Sequence, residues 1–315
     1  MAHTAAPPAT TLPAYVEYPS AQTLPGPIAF TGLTMSAFLL AADMAVLRAL
    51  CQSLITTPSG GQVSFTPVLP VVMMSFTAFP QGVFVNFPDR GRATERELSF
   101  GIPGIYAGAG ALGFGLLMPF LFLDNPVAML TGRENYGYFK QWGEITLPGD
   151  GLPQAFSAEV YGCPAFAPTA QWGRQGLVAL NNPQAVRAHA KSGLPPASVA
   201  GAAAWLRDRI VAGSGADPGA FAALLQGKLT QIFLKQFRDV ADGTRACYQA
   251  VTRADYSVTK LASLLPEADY DYAFQALQST PVAESLGIAP SGRTGLGLAI
   301  TMDMQLETGS VLWQA

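Results

Sequence analysis

Lysine is the residue with the most specific chemistry to offer in this chain. Lys140 lies near the end of residues 123–142, LDNPVAMLTGRENYGYFKQW, and no other lysine occurs in the first 190 residues; the rest are Lys191, Lys228, Lys235 and Lys260. A free lysine keeps its proton up to about pH 10.4, whereas burial in apolar surroundings favours the neutral, nucleophilic amine. Residues 98–123 carry no charge, so the chain delivers an amine to the end of a long apolar run. A neutral amine adds to a carbonyl, water leaves, and the protonated imine withdraws electrons from the adjacent carbon. Decarboxylation of a β-keto acid, aldol addition, retro-aldol cleavage and dehydration all draw on that sink. At this spacing alone, a surface lysine following a turn is the simpler alternative.

The surrounding residues add a pattern. Leu123-Asp124-Asn125-Pro126, Gly132-Arg133-Glu134 and Tyr138-Phe139-Lys140 resemble the signature of the acetoacetate decarboxylase superfamily. There a D-N-x-P-A-x-x-x-G-R-E-x-x-x-Y-P-K-K run carries the lysine that condenses with the substrate ketone. The resemblance puts Lys140 on that nucleophile, with Phe139 in place of the usual proline and Gln141 in place of the second lysine. It extends to residues 26–48, where Gly-Pro, an extended run and D-M-x-x-L-R are similar to the family's first strand and helix. It extends also to residues 229–253, whose L-K and D-G-x-x-x-C elements are similar to a family hairpin.

In that register the family's active-site arginine falls on Leu33 and one pocket glutamate on Ser75. The second pocket carboxylate falls on Glu97, by its spacing to Ile102-Pro103. The resemblance therefore implies Glu97 as general acid/base or substrate-orienting carboxylate, with Leu33, Ser75 and Gln141 as altered pocket positions. Tyr136 would stand one turn before Lys140 if the segment were helical, and Tyr248 lies on the C-terminal hairpin. Either hydroxyl could bind a substrate carboxylate or carbonyl, and either could be a plain core aromatic. Arg133 and Glu134 read as a structural ion pair. Acetoacetate decarboxylase is itself the standing example of a lysine activated by desolvation or by a cationic neighbour. With Gln141 next to Lys140, desolvation is the route left.

The implied activity is a Schiff-base-forming lyase acting on a keto acid or related carbonyl compound, by aldol or dehydration chemistry and without a cofactor or metal. A β-keto acid decarboxylase with a different carboxylate anchor is the alternative within the family. A non-catalytic binding barrel is the alternative outside it.

The elements that must position these residues are mostly strands. The chain has 315 residues, 50% hydrophobic and 12% charged, a charge content well below that of ordinary soluble domains. Two uncharged windows, 49–88 and 98–123, are long enough to span a membrane. Prolines interrupt the first, and six glycines with two prolines the second, which suits short buried strands instead. A net charge of −3 argues against nucleic acid. Three scattered cysteines, Cys51, Cys163 and Cys247, suggest free thiols in a reducing, cytoplasmic setting. With only His3 and His189 present, the sequence argues against a histidine triad or a multi-histidine metal site. Residues 108–113 match GxGxxG, but no unbroken helix and no acidic residue about twenty positions on follow, so a tight strand or turn is expected.

Strands are expected at 28–40, 71–78, 82–87, 144–147, 154–161 and 296–306, with a hairpin over 229–253 turning at Asp242-Gly243. Asp43 is expected to cap a short helix, and the charged run 89–97 to form a solvated hairpin tip. Residues 1–24 read as a flexible tail ahead of one domain, 25–315. An Ala-rich helical insertion is expected at about 183–226. The class is α+β, mostly antiparallel β. The resemblance adds a closed, cone-like β-barrel and a homo-oligomer.

Overall fold

The computed structural model describes residues 13–19, 23–149, 155–182 and 228–315. The expected helical insertion and most of residues 1–24 lie outside them. The described elements run in the order β1 (Ile28–Ala41), α1 (Met44–Cys51), β2 (Val63–Pro67), β3 (Val71–Phe84), β4 (Ala93–Gly108), β5 (Ala111–Leu123), α2 (Pro126–Thr131), β6 (Lys140–Thr146), β7 (Ala155–Gly162) and β8 (Gly173–Asn181). Then come β9 (Lys228–Arg238), β10 (Ala246–Glu267), β11 (Asp271–Phe274), α3 (Val282–Leu286), β12 (Ser291–Arg293), β13 (Gly297–Leu306) and β14 (Ser310–Gln314). No described helix is long and apolar enough to cross a membrane.

One sheet path, β12-β11-β8-β7-β6-β5-β9-β10-β13-β1-β3-β4-β2, joins nearly all the strands, and β4 pairs with β5 as well. The pairings from β5 through β9, β10, β13, β1, β3 and β4 therefore return to β5. Pairing is antiparallel throughout except that β5 runs parallel to both β6 and β9. The expected hairpin at 229–253 is the β9–β10 pair.

Side chains alternate across a strand, and the two faces of this ring bury different things. One face collects Ile28, Phe30, Leu33, Phe79, Met118, Leu121, Leu123, Tyr138, Phe233, Tyr256, Met302 and Met304 into a single apolar cluster. The other packs Phe38, Phe76, Leu98 and Phe100 against Phe156, Val178 and Leu180 of β7 and β8 and against Leu47 of α1. Each fully buried Leu, Phe or Met contributes about 1.5–3 kcal/mol over the exposed state, so both layers hold the ring in place. Aromatic contacts of Phe38 with Phe156 and Tyr270, at 5.6 and 5.4 Å between ring centroids, tie the layers together.

Local chemistry explains most boundaries. Asp43 caps α1 by accepting from the backbone N–H of Ala45 and Val46, as expected of that residue type. The glycine run 108–113 is the tip of the β4–β5 hairpin: Gly108 pairs with Ala111, leaving Ala109 and Gly110 at φ 51° and 74°. Two left-handed residues make the turn that matches strand twist, so the run has no helix to bind a dinucleotide. Two expectations need correcting. Residues 71–84 form one strand, not two, with only a register shift between Phe79 and Gly82. The run 89–97 is a solvated hairpin tip only in its first half: after a short exposed turn at Pro88–Arg90 between β3 and β4, β4 begins at Ala93 and buries Glu95 and Glu97.

Candidate active site

The motif around Lys140 acts as a bracket. Asp124 Oδ1 accepts from the Arg96 N–H at 2.8 Å, and Asn125 Nδ2 donates to the Thr94 carbonyl at 2.7 Å. Both contacts pin the start of α2 to β4 on either side of Glu95. Asn125 also caps α2, accepting from Val127 and Ala128 N–H, and Pro126 fills the first helical position, where no donor is needed. After α2 the chain makes a wider π turn over Gly132–Tyr136 and leaves it through Gly137 at φ 91°. A residue with a Cβ is disfavoured in that left-handed conformation.

Two more motif residues then seat the lysine. Arg133 Nη1 donates to the Lys140 carbonyl at 2.9 Å, with its guanidinium over the Phe139 ring. Gly132 leaves space for the side chain: a Cβ there would stand 2.6 Å from Lys140 Cδ and 2.8 Å from Cε. The expected Arg133–Glu134 pair is replaced by separate contacts, since Glu134 accepts from the Tyr15 hydroxyl.

Lys140 is the first residue of β6, opposite Leu121 of β5, and only 7% of it is exposed. It is the one buried cationic side chain among those described. Its Nζ lies 3.5 Å from a Glu95 carboxylate oxygen and 3.8 Å from one of Glu97, and 5.2 Å from the centre of the Tyr138 ring. Sequence reasoning had assigned activation to apolar walls alone. The amine instead faces two carboxylates within apolar surroundings.

The two carboxylates differ. Burial pushes Glu97 up to about 7; the Lys140 charge opposes this, the Glu95 charge adds to it, and a hydrogen bond from Ser99 opposes it. Ser99 is in turn 2.8 Å from Ser75, hydroxyl to hydroxyl. Ser75 therefore stands behind Glu97 through one intervening hydroxyl. One oxygen of Glu95, Oε2, is buried and takes part in no hydrogen bond. Glu95 also walls a cleft of about 500 Å³ together with Phe79, Pro80, Arg96, Asp124 and Asn125.

The remaining candidates are placed as follows. Leu33 has no exposed surface and belongs to the same apolar cluster as Tyr138. Tyr136 belongs to it too, but its hydroxyl is unpartnered and lies against Gly26; the turn at Gly137 breaks the helical spacing that would have aimed it at Lys140. Gln141 falls on the opposite face of β6 by strand alternation, so a neighbour in sequence is not one in space. Tyr248 packs on Phe237 and Lys235.

Three residues escaped sequence reasoning. Glu95 was legible only as Glu95, Glu97 and Ser99 alternating along one strand, a signal hidden by the charges around it. Tyr138, whose ring faces the amine, donates its hydroxyl to that of Tyr256 at 3.0 Å. Both are held well above the usual phenol range, chiefly by burial, so they are neutral donors. Only the parity of Tyr138 with Lys140 along an extended segment could have revealed it.

No family model and no curated protein matches the sequence. Among solved structures the chain is similar to an acetoacetate decarboxylase, with 15% identity over 94% of this chain and 93% of that one and a TM-score of 0.61. It is similar to the acetoacetate decarboxylase of Legionella pneumophila, with 14% identity over 97% and 93% and a TM-score of 0.61. It is also similar to the enduracididine biosynthesis enzyme MppR, in a complex with the condensation product of pyruvate and imidazole 4-carboxaldehyde. There the identity is 14% over 97% and 99% of the two chains, with a TM-score of 0.57. The chain thus has the fold of acetoacetate decarboxylase.

Proposed function

We propose that this chain is a Schiff-base-forming lyase that acts on a keto acid or related carbonyl compound through Lys140. The observation that carries this reading is a lone buried amine between two buried carboxylates, one of which titrates near neutrality. Imine formation needs a proton removed from the ammonium and another delivered to the departing hydroxyl. A carboxyl group that exchanges its proton near pH 7 can do both. Glu97 takes the proton from Lys140, the amine adds to the carbonyl carbon, and the carbinolamine forms. Glu97 returns the proton to the hydroxyl, water leaves, and the iminium remains. Tyr138 and Tyr256 supply neutral hydroxyls, suited to hydrogen-bonding an oxygen that gains charge. The returning ring of strands serves as a closed, cone-like barrel that keeps the iminium dry. The MppR complex with the condensation product of pyruvate and an aldehyde supports the aldol and dehydration reading over decarboxylation for this chain.

Removing CO2 from a β-keto acid first requires binding its carboxylate, and Leu33 offers no charge where the decarboxylases keep an arginine. Incubation with acetoacetate is therefore expected to release little CO2, while pyruvate plus an aldehyde gives an enone that absorbs in the ultraviolet. Rapid CO2 release without enone would favour the decarboxylase alternative. A folded protein that forms no reducible adduct with any carbonyl would favour a binding protein.

A further inference from the structure

We propose that Ser99 and Ser75 are positioning residues, a relay of two hydroxyls that orients Glu97 and sets the pH at which it exchanges its proton, Ser99 by direct contact and Ser75 through Ser99. This rests on the Schiff-base reading above and concerns the regulation of the same site.

The relay follows from strand register. Glu97 and Ser99 alternate along β4 and so share a face, and Ser75 of β3 is the cross-strand partner of Ser99. All three are buried, so water does not compete for them. The two hydroxyl oxygens lie 2.8 Å apart, and Ser99 hydrogen-bonds the Glu97 carboxyl. Each hydroxyl has one hydrogen to give, and an ionised carboxylate only accepts. While Glu97 is charged, the Ser99 hydrogen therefore goes to the carboxylate, and the Ser75 hydrogen fills the contact between the serines. The donors then run one way, from Ser75 to Ser99 to Glu97, and each bond polarises the next. A neutral carboxyl accepts more weakly than a carboxylate. The relay therefore favours the charged form, the one that takes the proton of Lys140.

The other groups facing Glu97 act on it through charge or burial. Lys140 Nζ at 3.8 Å favours the charged form, and Glu95 on the same face of β4 opposes it. Tyr138 and Tyr256 lie close enough to feel its charge. Burial is the largest effect and pushes Glu97 up to about 7. The two serines carry no charge of their own, so replacing them changes Glu97 while every ion of the site stays in place.

The test is the pH profile of Lys140 trapping by cyanoborohydride with butanone. Each rate is divided by that of a free lysine amine at the same pH, and thermal unfolding checks each protein. Wild type should show a rise centred near pH 7, as Glu97 loses its proton. Ser99→Ala should move that midpoint up by about one to two units, the worth of one hydrogen bond to a charged group. Ser99→Thr, which keeps the hydroxyl, should restore it. Ser99→Cys, a smaller change with a weak S–H donor, should also move it up and serves if the alanine variant does not fold. Ser75→Ala should move it up by up to about half a unit, and by nothing further when Ser99 is already alanine. A plain packing role would lower the rate at every pH and leave the midpoint in place. An unmoved or lowered midpoint in folded Ser99→Ala or Ser99→Cys would overturn the relay and leave the Schiff-base reading standing. So would a Ser75→Ala shift that persists in the Ser99→Ala background. No adduct at any pH, in wild-type protein shown to be folded, would overturn both.

Discussion

Replacing Gly132 by alanine separates the placement of Lys140 from its charge. Gly132 has an ordinary helical backbone, φ −64°, so alanine introduces no backbone strain and gains about 0.5–1 kcal/mol of helix preference. The new methyl would stand 2.6 Å from Lys140 Cδ and 2.8 Å from Cε, against an ordinary carbon contact of about 3.5–4.0 Å. One of the two must yield, and the flexible lysine yields more cheaply than the capped turn. Closing that overlap displaces the chain of Lys140 by about 1 Å, and a misplacement of that size costs about a hundredfold in rate. Since every 1.4 kcal/mol is tenfold, this corresponds to about 2.8 kcal/mol in the barrier to imine formation. The assay is the rate of reductive trapping with butanone, alongside thermal unfolding. Gly132→Ala is expected to melt within a few degrees of wild type and to trap about a hundredfold more slowly. Trapping at the wild-type rate by a normally folded Gly132→Ala protein would refute the reasoning that this position seats the nucleophile.

Three further outcomes follow from the same geometry. Glu97 is raised from an ordinary 4.5 to about 7, so between those values the folded state binds more protons than the unfolded one. Its contribution to stability is full below about pH 4.5 and is lost as the pH rises through about 7. Glu97→Gln should therefore compare better with wild type in urea unfolding at pH 8 than at pH 5, and should lose any rise in trapping rate centred near pH 7. Tyr138→Phe leaves the buried Tyr256 hydroxyl without its partner at 3.0 Å, a cost of about 1–3 kcal/mol in urea unfolding. Asn125→Ala removes the cap of α2 and its tie to Thr94, which should cost about 1–2 kcal/mol by the same measurement.

What could be read from the sequence follows physical range. Asp43, Asp124-Asn125-Pro126 and the Asp242-Gly243 turn act within a few residues of themselves, so their residue types announced caps and turns. Lys140 and Glu97 were found because a resemblance supplied their register. Their burial depends on strand pairings distant in sequence, such as Leu121 with Lys140 and Thr77 with Glu97. Glu95 was lost for a different reason. In residues 89–97 a dense charge run suggests solvent, yet strand alternation turns Arg96 outward and both glutamates inward. Tyr136 and Tyr138 were confused because one left-handed glycine changes the repeat from helical to extended between them. Pairing of Gln141 with Lys140 failed similarly, since adjacency on a strand means opposite faces.

The most direct test of the central claim is peptide mapping of the protein after reduction with borohydride in the presence of a carbonyl substrate. The account predicts a single covalent adduct on Lys140, abolished in Lys140→Gln, while Lys191, Lys228, Lys235 and Lys260 remain at background. An adduct spread evenly over the five lysines, or one that survives in Lys140→Gln, would contradict it.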